Sequence, residues 1–227
     1  FLTSTHILSP AVTEPPVPSL TWQKQPAKKD WNSLGFLTTA RELWLPELLL
    51  YFRSLPFYPR KRFGIDILYG VELNILDSAG HTDLSDELLN NLDYAIISMH
   101  RQNYRSGSVS QNTEAYINAM KHPAVKILGH CDDTHFPVDY ETLARAALRE
   151  NVIFEINEAS LAPGGYRGDT RANAARICIS VRNISFLLFC PATATEKNML
   201  EISPMPKNSF TSSCFRKLLS LTTSFPD

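Results

Sequence analysis

The sequence predicts an α/β fold built on a parallel sheet, on three observations. Short apolar stretches alternate with amphipathic helical stretches between positions 51 and 182. Glu72, His100 and His130 follow 28 and 30 residues apart, each about the length of one strand-helix-strand repeat. Each of the three stands where a predicted strand ends, and parallel strands bring such ends to one mouth of a sheet, where active sites of these folds are built.

Taken in order, the strand Ile65–Val71 leads to a short helical stretch at Ser85–Asn91. The strand Tyr94–Met99 leads through a polar loop to a helix at Thr113–Met120, for which Asn112 is the expected N-cap. The strand Val125–Gly129 is followed by the loop Cys131–Asp139 and a helix at Tyr140–Glu150. In that helix Leu143, Ala144, Ala147 and Leu148 form one apolar stripe. The strand Val152–Ile156 precedes a turn-rich stretch at Ala162–Gly168. A last helix covers Thr170–Val181, with Ala174, Ile177, Cys178 and Val181 at helical spacing.

The ends follow another pattern. Leu8–Pro18 holds four prolines without periodicity, and Thr21–Asn32 is Lys-rich. Phe186–Phe189 reads as a strand, but Pro191 onward is Ser, Thr, Pro and scattered Phe. Both ends are therefore expected to be loops or disorder.

The 227 residues suffice for one domain with a real core, and the net charge of −1 gives no basic field for nucleic acid. Cys131, Cys178, Cys190 and Cys214 form no C-x-x-C pair, which fits a reducing compartment. No apolar run is long enough for a membrane span, and the N-terminal stretch lacks the pattern of a signal peptide. A soluble cytoplasmic protein is expected; the oligomeric state is not legible.

G-V-E-L-N-I at Gly70–Ile75, S-M-H-R at Ser98–Arg101 and I-L-G-H at Ile127–His130 resemble the polymerase and histidinol phosphatase (PHP) superfamily, with the nearest likeness to YcdX-like bacterial phosphatases. F-P-V-D-Y at Phe136–Tyr140, F-E-I-N at Phe154–Asn157 and P-G-G-Y-R-G at Pro163–Gly168 extend the resemblance, which covers roughly Tyr51 to Val181. It implies a distorted (β/α)7 TIM-like barrel and hydrolysis of phosphate monoesters of small metabolites by metal-bound hydroxide. It also implies a three-metal cluster of zinc or manganese. Glu72, His100 and His130 match metal ligands of that family, the carboxylate bridging two metals. The family's H-x-H on the first strand, D-H or E-H after the second and D-x-H after the last do not stand in this sequence. Asp132, Asp133 and His135 look like D-x-H but lie just after His130.

Those missing motifs are permitted in another reading frame. Ser4–Thr13 can encode H-T-H-T-L-A-S-G-H, Gly35–Arg41 permits I-S-D-H-G-P, and Phe189–Glu196 permits L-S-S-D-S-H-G. The expectation is a partial barrel. Positions 1–50 and 183–227 are read as out-of-frame segments that disrupt its first and last units, and positions 51–182 as its core. A chain of this kind is either the phosphatase or an inactive remnant that holds at most one metal; a non-catalytic binding module is a third option.

A carboxylate offers two oxygens and each neutral imidazole one nitrogen, a donor set suited to zinc or manganese. Arg101, directly after His100, is a candidate donor to a substrate phosphate. Asn157, at the next strand end, is a candidate for the same mouth, or a turn former. His6, His81, His122 and His135 have no partners at ligand spacing.

Overall fold

The computed structural model describes residues 5–8, 33–39, 46–62, 65–161, 164–183 and 188–189. Seven parallel strands form one sheet: β1 (Thr5–Leu8), β2 (Ser33–Thr39), β4 (Ile65–Asn74), β5 (Tyr94–Ser98), β6 (Val125–Leu128), β7 (Ile153–Glu155) and β8 (Leu188–Phe189), adjacent in that order. A short β3 (Lys61–Arg62) pairs antiparallel with the start of β4. The expectation of loops at both ends therefore fails at β1 and β2. Each is a short run of apolar and β-branched residues (T-H-I-L and S-L-G-F-L-T-T), long enough to add to the edge of a sheet that β4 templates. No pairing joins β8 to β1 among the described residues, so the described sheet is open.

The helices are α1 (Pro46–Ser54), α2 (Asp86–Leu89), α3 (Val109–Ala119), α4 (Tyr140–Glu150) and α5 (Arg171–Asn183). Helix α1 straddles the expected boundary at Tyr51, and opens on a proline, whose missing N–H costs nothing there. Helix α4 has the predicted bounds. The Asp139 side chain accepts from the Glu141 and Thr142 amides, and Asn151, at φ +62°, closes the helix in the left-handed conformation that Asn tolerates.

Helix α3 starts earlier than expected. Its N-cap is Ser108, not Asn112: Ser108 Oγ accepts from the Gln111 amide at 3.3 Å while the Gln111 side chain accepts from the Ser108 amide at 2.9 Å. This S-x-x-Q capping box satisfies two helix-end donors at once, and so outcompetes a single Asn four residues later. Asn112 lies instead inside the helix, fully buried. It donates to the Pro137 carbonyl at 3.0 Å and accepts from the Gly107 amide at 2.8 Å, tying two loops together.

The two faces of the sheet differ. Val71, Leu73, Ala95, Ile97, Leu128 and Phe154 pack with residues of the helices, among them Ala115, Tyr116, Leu143, Ala147 and Ile177, into the main core. The alternate residues Tyr94, Ile96 and Ile127, with Leu68 and Ile153 against them, form a small apolar cluster on the other face. Side chains alternate along a strand, so Glu72 and Asn74 share this second face with Leu68, away from the helices. Register places Glu72 beside Ile96 and Asn74 beside Ser98. The polar residues therefore gather on the face opposite the described helices, at the carboxyl ends of the strands. No helix among the described residues is long and apolar enough to cross a membrane.

Candidate metal centre

Strand β4 runs on to Asn74, so Glu72 lies within the strand, two residues before its end, and not just beyond it as expected. Pairing with β5 extends the strand through Glu72 to Asn74. His100 and His130 each stand two residues past the last residue of β5 and β6. The sheet brings the three together: Glu72 Oε1 is 3.2 Å from His130 Nε2 and 3.5 Å from His100 Nε2. The two imidazoles meet edge to face, 5.0 Å between ring centroids. One ligand atom from each residue lies within 4.8 Å of the others, a grouping that could hold a metal ion.

Burial alone would raise the Glu72 carboxyl. The hydrogen bond from His130 and the positive charge that His130 and His100 carry when protonated outweigh it and hold the group at about 2, an ionised carboxylate. His130 is held from behind: its amide donates to Glu155 Oε2 at 2.8 Å, a buried carboxylate at the end of β7. Its backbone sits at φ +28°, a region L-residues seldom occupy, so the surrounding contacts impose the turn that aims the ring. Gly129, just before it, lies where a Cβ would fall 2.3 Å from Ser98 Oγ and 2.8 Å from Ile96 Cγ2. A glycine is therefore required there by close packing of β6 on β5.

His100 is oriented by a different pair. Its Nδ1 lies 2.6 Å from Asn74 Oδ1. The Asn74 side-chain amide donates to Asp83 Oδ2, and the Asn74 backbone amide donates to Asp83 Oδ1 at 3.0 Å. Asp83 follows a tight excursion after β4 that is closed by the Ile75–Thr82 bridge and by the Leu76 amide donating to the His81 carbonyl at 2.8 Å.

Further buried charge surrounds this cluster. Burial raises both Glu155 and Asp132; Asp132 reaches about 6 although the charges of His130 and Arg167 pull it down. Arg167 is itself buried, donating from Nη1 to Ser160 Oγ at 2.8 Å, its guanidinium 4.7 Å from the Tyr166 ring centroid. Sequence reasoning missed Asn74, Asp83, Asp132, Glu155 and Arg167. Strand alternation was a usable signal for one of them, since Asn74 is two residues from Glu72 and must share its face.

Other expectations fare differently. Arg101 is exposed, directly after His100 in the chain. Asn157 is half-buried, and its backbone carbonyl accepts from the Ser160 amide at 3.0 Å, opening the 3-10 turn Glu158–Leu161. Asp133 and His135 pair with each other at 2.7 Å and are not part of the grouping, and exposed His81 pairs with Asp77 at 2.6 Å. His6 lies outside the residues whose side chains are described.

No protein-family model matches the chain. Among curated proteins, it is similar to a probable phosphatase of Clostridium botulinum strain Hall, 39% identical over 130 residues, which is 57% of this chain and 54% of the relative. A probable phosphatase of Clostridium acetobutylicum is 36% identical over 127 residues, 56% of this chain and 51% of the relative. One of Thermoanaerobacter sp. strain X514 is 41% identical over 113 residues, 49% and 46%. The chain spans about half the length of the curated relatives it matches. Among solved structures, histidinol phosphate phosphatase from Lactococcus lactis aligns over 85% of this chain and 86% of its own, at TM-score 0.45 and 10% identity, too distant to carry an argument.

Proposed function

We propose that this chain derives from a metal-dependent phosphatase of the PHP type, a phosphoric monoester hydrolase acting on small phosphorylated metabolites. The observation that carries this reading is the convergence of Glu72, His100 and His130 on one point of the sheet face opposite the described helices. The names of the curated relatives support the reaction class. Seven parallel strands in sequential order, with the main core against the helices on one face, suit a distorted (β/α)7 barrel.

The donor set fits zinc or manganese: an ionised carboxylate and two imidazole nitrogens within 4.8 Å of one another. When bound, such an ion lowers the pKa of water and draws charge from phosphate oxygens. The chain's own residues do the rest. Glu72 supplies the negative charge that attracts a cation, and His100 and His130 supply neutral nitrogens from two neighbouring strands. Glu155, through the His130 backbone amide, and the turn at His130 fix the backbone from which one of those rings projects. Arg101, next to His100 and exposed, is the donor we assign to an incoming phosphate, with Asn157 a second candidate at the same mouth.

Metal binding tests the site. Wild-type chain dialysed against zinc or manganese should retain metal by elemental analysis; Glu72→Gln should abolish retention, and exposed His81→Ala should leave it unchanged. Equal effects of the two substitutions would reject the assignment.

We further read positions 1–50 and 183–227 as translated out of frame. The matched stretch of 130 residues is close in length to the orderly segment 51–182. Strands β1 and β2 fall on the two stretches whose shifted frame permits H-T-H and I-S-D-H. The chain as it stands is then a remnant holding at most one metal. The coding DNA decides this: intact codons with no such motifs in any other frame overturn it. A gene with both frames restored should yield phosphatase activity with added zinc or manganese.

A further inference from the structure

The Asp83–Asn74–His100 chain of hydrogen bonds has a direction, and that direction has a consequence for His100. Asn74 is the last residue of β4, and Asp83, nine positions on, lies where the chain returns to that strand end. Asn74 is fully buried, so its amide group has no water to compensate a wrong orientation. Both Asp83 oxygens accept from Asn74, one from the backbone amide and one from the side chain. An ionised carboxylate can only accept. The Asn74 NH2 must therefore face Asp83, and its Oδ1 must face His100 Nδ1, at 2.6 Å. A carbonyl oxygen also only accepts, so the proton between them belongs to His100 Nδ1. In a neutral imidazole that leaves Nε2 bare, and Nε2 is the atom turned toward Glu72.

We propose that Asp83 and Asn74 are positioning residues that lock His100 in the Nδ1–H tautomer and present its Nε2 lone pair to a metal ion at Glu72. The metal part of this rests on the reading of Glu72, His100 and His130 given above; the tautomer part does not. Outer hydrogen bonds of this kind fix the ring orientation and basicity of a ligating histidine. Among the described residues the His130 ring has no equivalent: Nδ1 meets no partner, and Glu155 holds the backbone amide instead.

Asp83→Asn is the informative substitution because it preserves shape and reverses direction. With one acceptor and one donor at position 83, the Asn74 amide can turn over, place its NH2 toward His100 and favour the Nε2–H tautomer, which cannot ligate through Nε2. The measurement is the 15N spectrum of histidine-labelled, metal-free chain at about pH 8, above the usual histidine range, followed by zinc titration. Wild type should show a bare Nε2 and a protonated Nδ1 at His100. Asp83→Asn should shift the population toward the other tautomer and weaken zinc binding about 10- to 100-fold, with an unchanged circular-dichroism spectrum. Should Asp83→Asn fail to fold, the wild-type spectrum alone decides, and Asn74→Ala gives a second weakened binder. A wild-type His100 that is mainly Nε2–H overturns the proposal, as does an Asp83→Asn chain with wild-type tautomer and zinc affinity. Wild type with the expected tautomer but no zinc uptake supports the relay and refutes the metal reading.

Discussion

Gly129→Ala tests how tightly the site is built on strand packing. The added methyl would lie 2.3 Å from Ser98 Oγ, 2.8 Å from Ile96 Cγ2 and 3.4 Å from the Ile97 carbonyl oxygen. Two of these are far inside contact distance. Ser98 is fully buried and Ile96 nearly so, both within β5, and a β-branched side chain has little rotational freedom with which to yield. Overpacking of this kind costs about 1–3 kcal/mol. A cost of about 2 kcal/mol lowers Tm by about 4–8 °C in a chain of this size. Ser98→Ala removes the closest atom, so the same glycine substitution should cost about half as much in that background. The assay is thermal and urea unfolding of the four chains in a double-mutant cycle, which isolates the contact. His130 follows Gly129 directly, so zinc affinity should fall in Gly129→Ala and recover in part in the double variant. A Gly129→Ala chain that melts within about 1 °C of wild type, where even the low end of that cost predicts about 2 °C, would refute the packing argument.

Asp132 is fully buried with its carboxyl raised to about 6, chiefly by burial, from an ordinary value of 3.8. A raised carboxyl contributes stability below pH 3.8 that is lost as pH rises to about 6, a difference of the order of 3 kcal/mol. In metal-free protein Asp132→Asn should thus match wild type at pH 4 and exceed its Tm at about pH 7; parallel curves across that window would contradict this. Asn112→Ala leaves the Pro137 carbonyl and the Gly107 amide without the partner that links them, and should cost about 1–3 kcal/mol in urea unfolding. A loss below about 0.5 kcal/mol, within the range of ordinary surface changes, would show that water replaces that bridge.

The sequence by itself determined the alternation of strand and helix from Ile65 to Val181, because burial of one stripe or one strand face leaves a period that can be read locally. It determined α4 to the residue from one apolar stripe, and the structure adds the Asp139 cap and the left-handed Asn151 that fix those ends. It also singled out Glu72, His100 and His130, because strand ends at repeat spacing must share a mouth. The tertiary structure alone decided what stands behind them. Asp83 reaches Asn74 across a return loop, Asn74 reaches His100 from the neighbouring strand, and Glu155 reaches His130 from two elements on. These bonds join residues 9, 26 and 25 positions apart and leave no periodic trace in the chain. The end strands were hidden for a related reason. Thr5–Leu8 and Ser33–Thr39 are too short to announce themselves, and become strands through the partner to which each is hydrogen-bonded. Local sequence reports which face of an element is buried; which polar group faces which is a property of the register between elements.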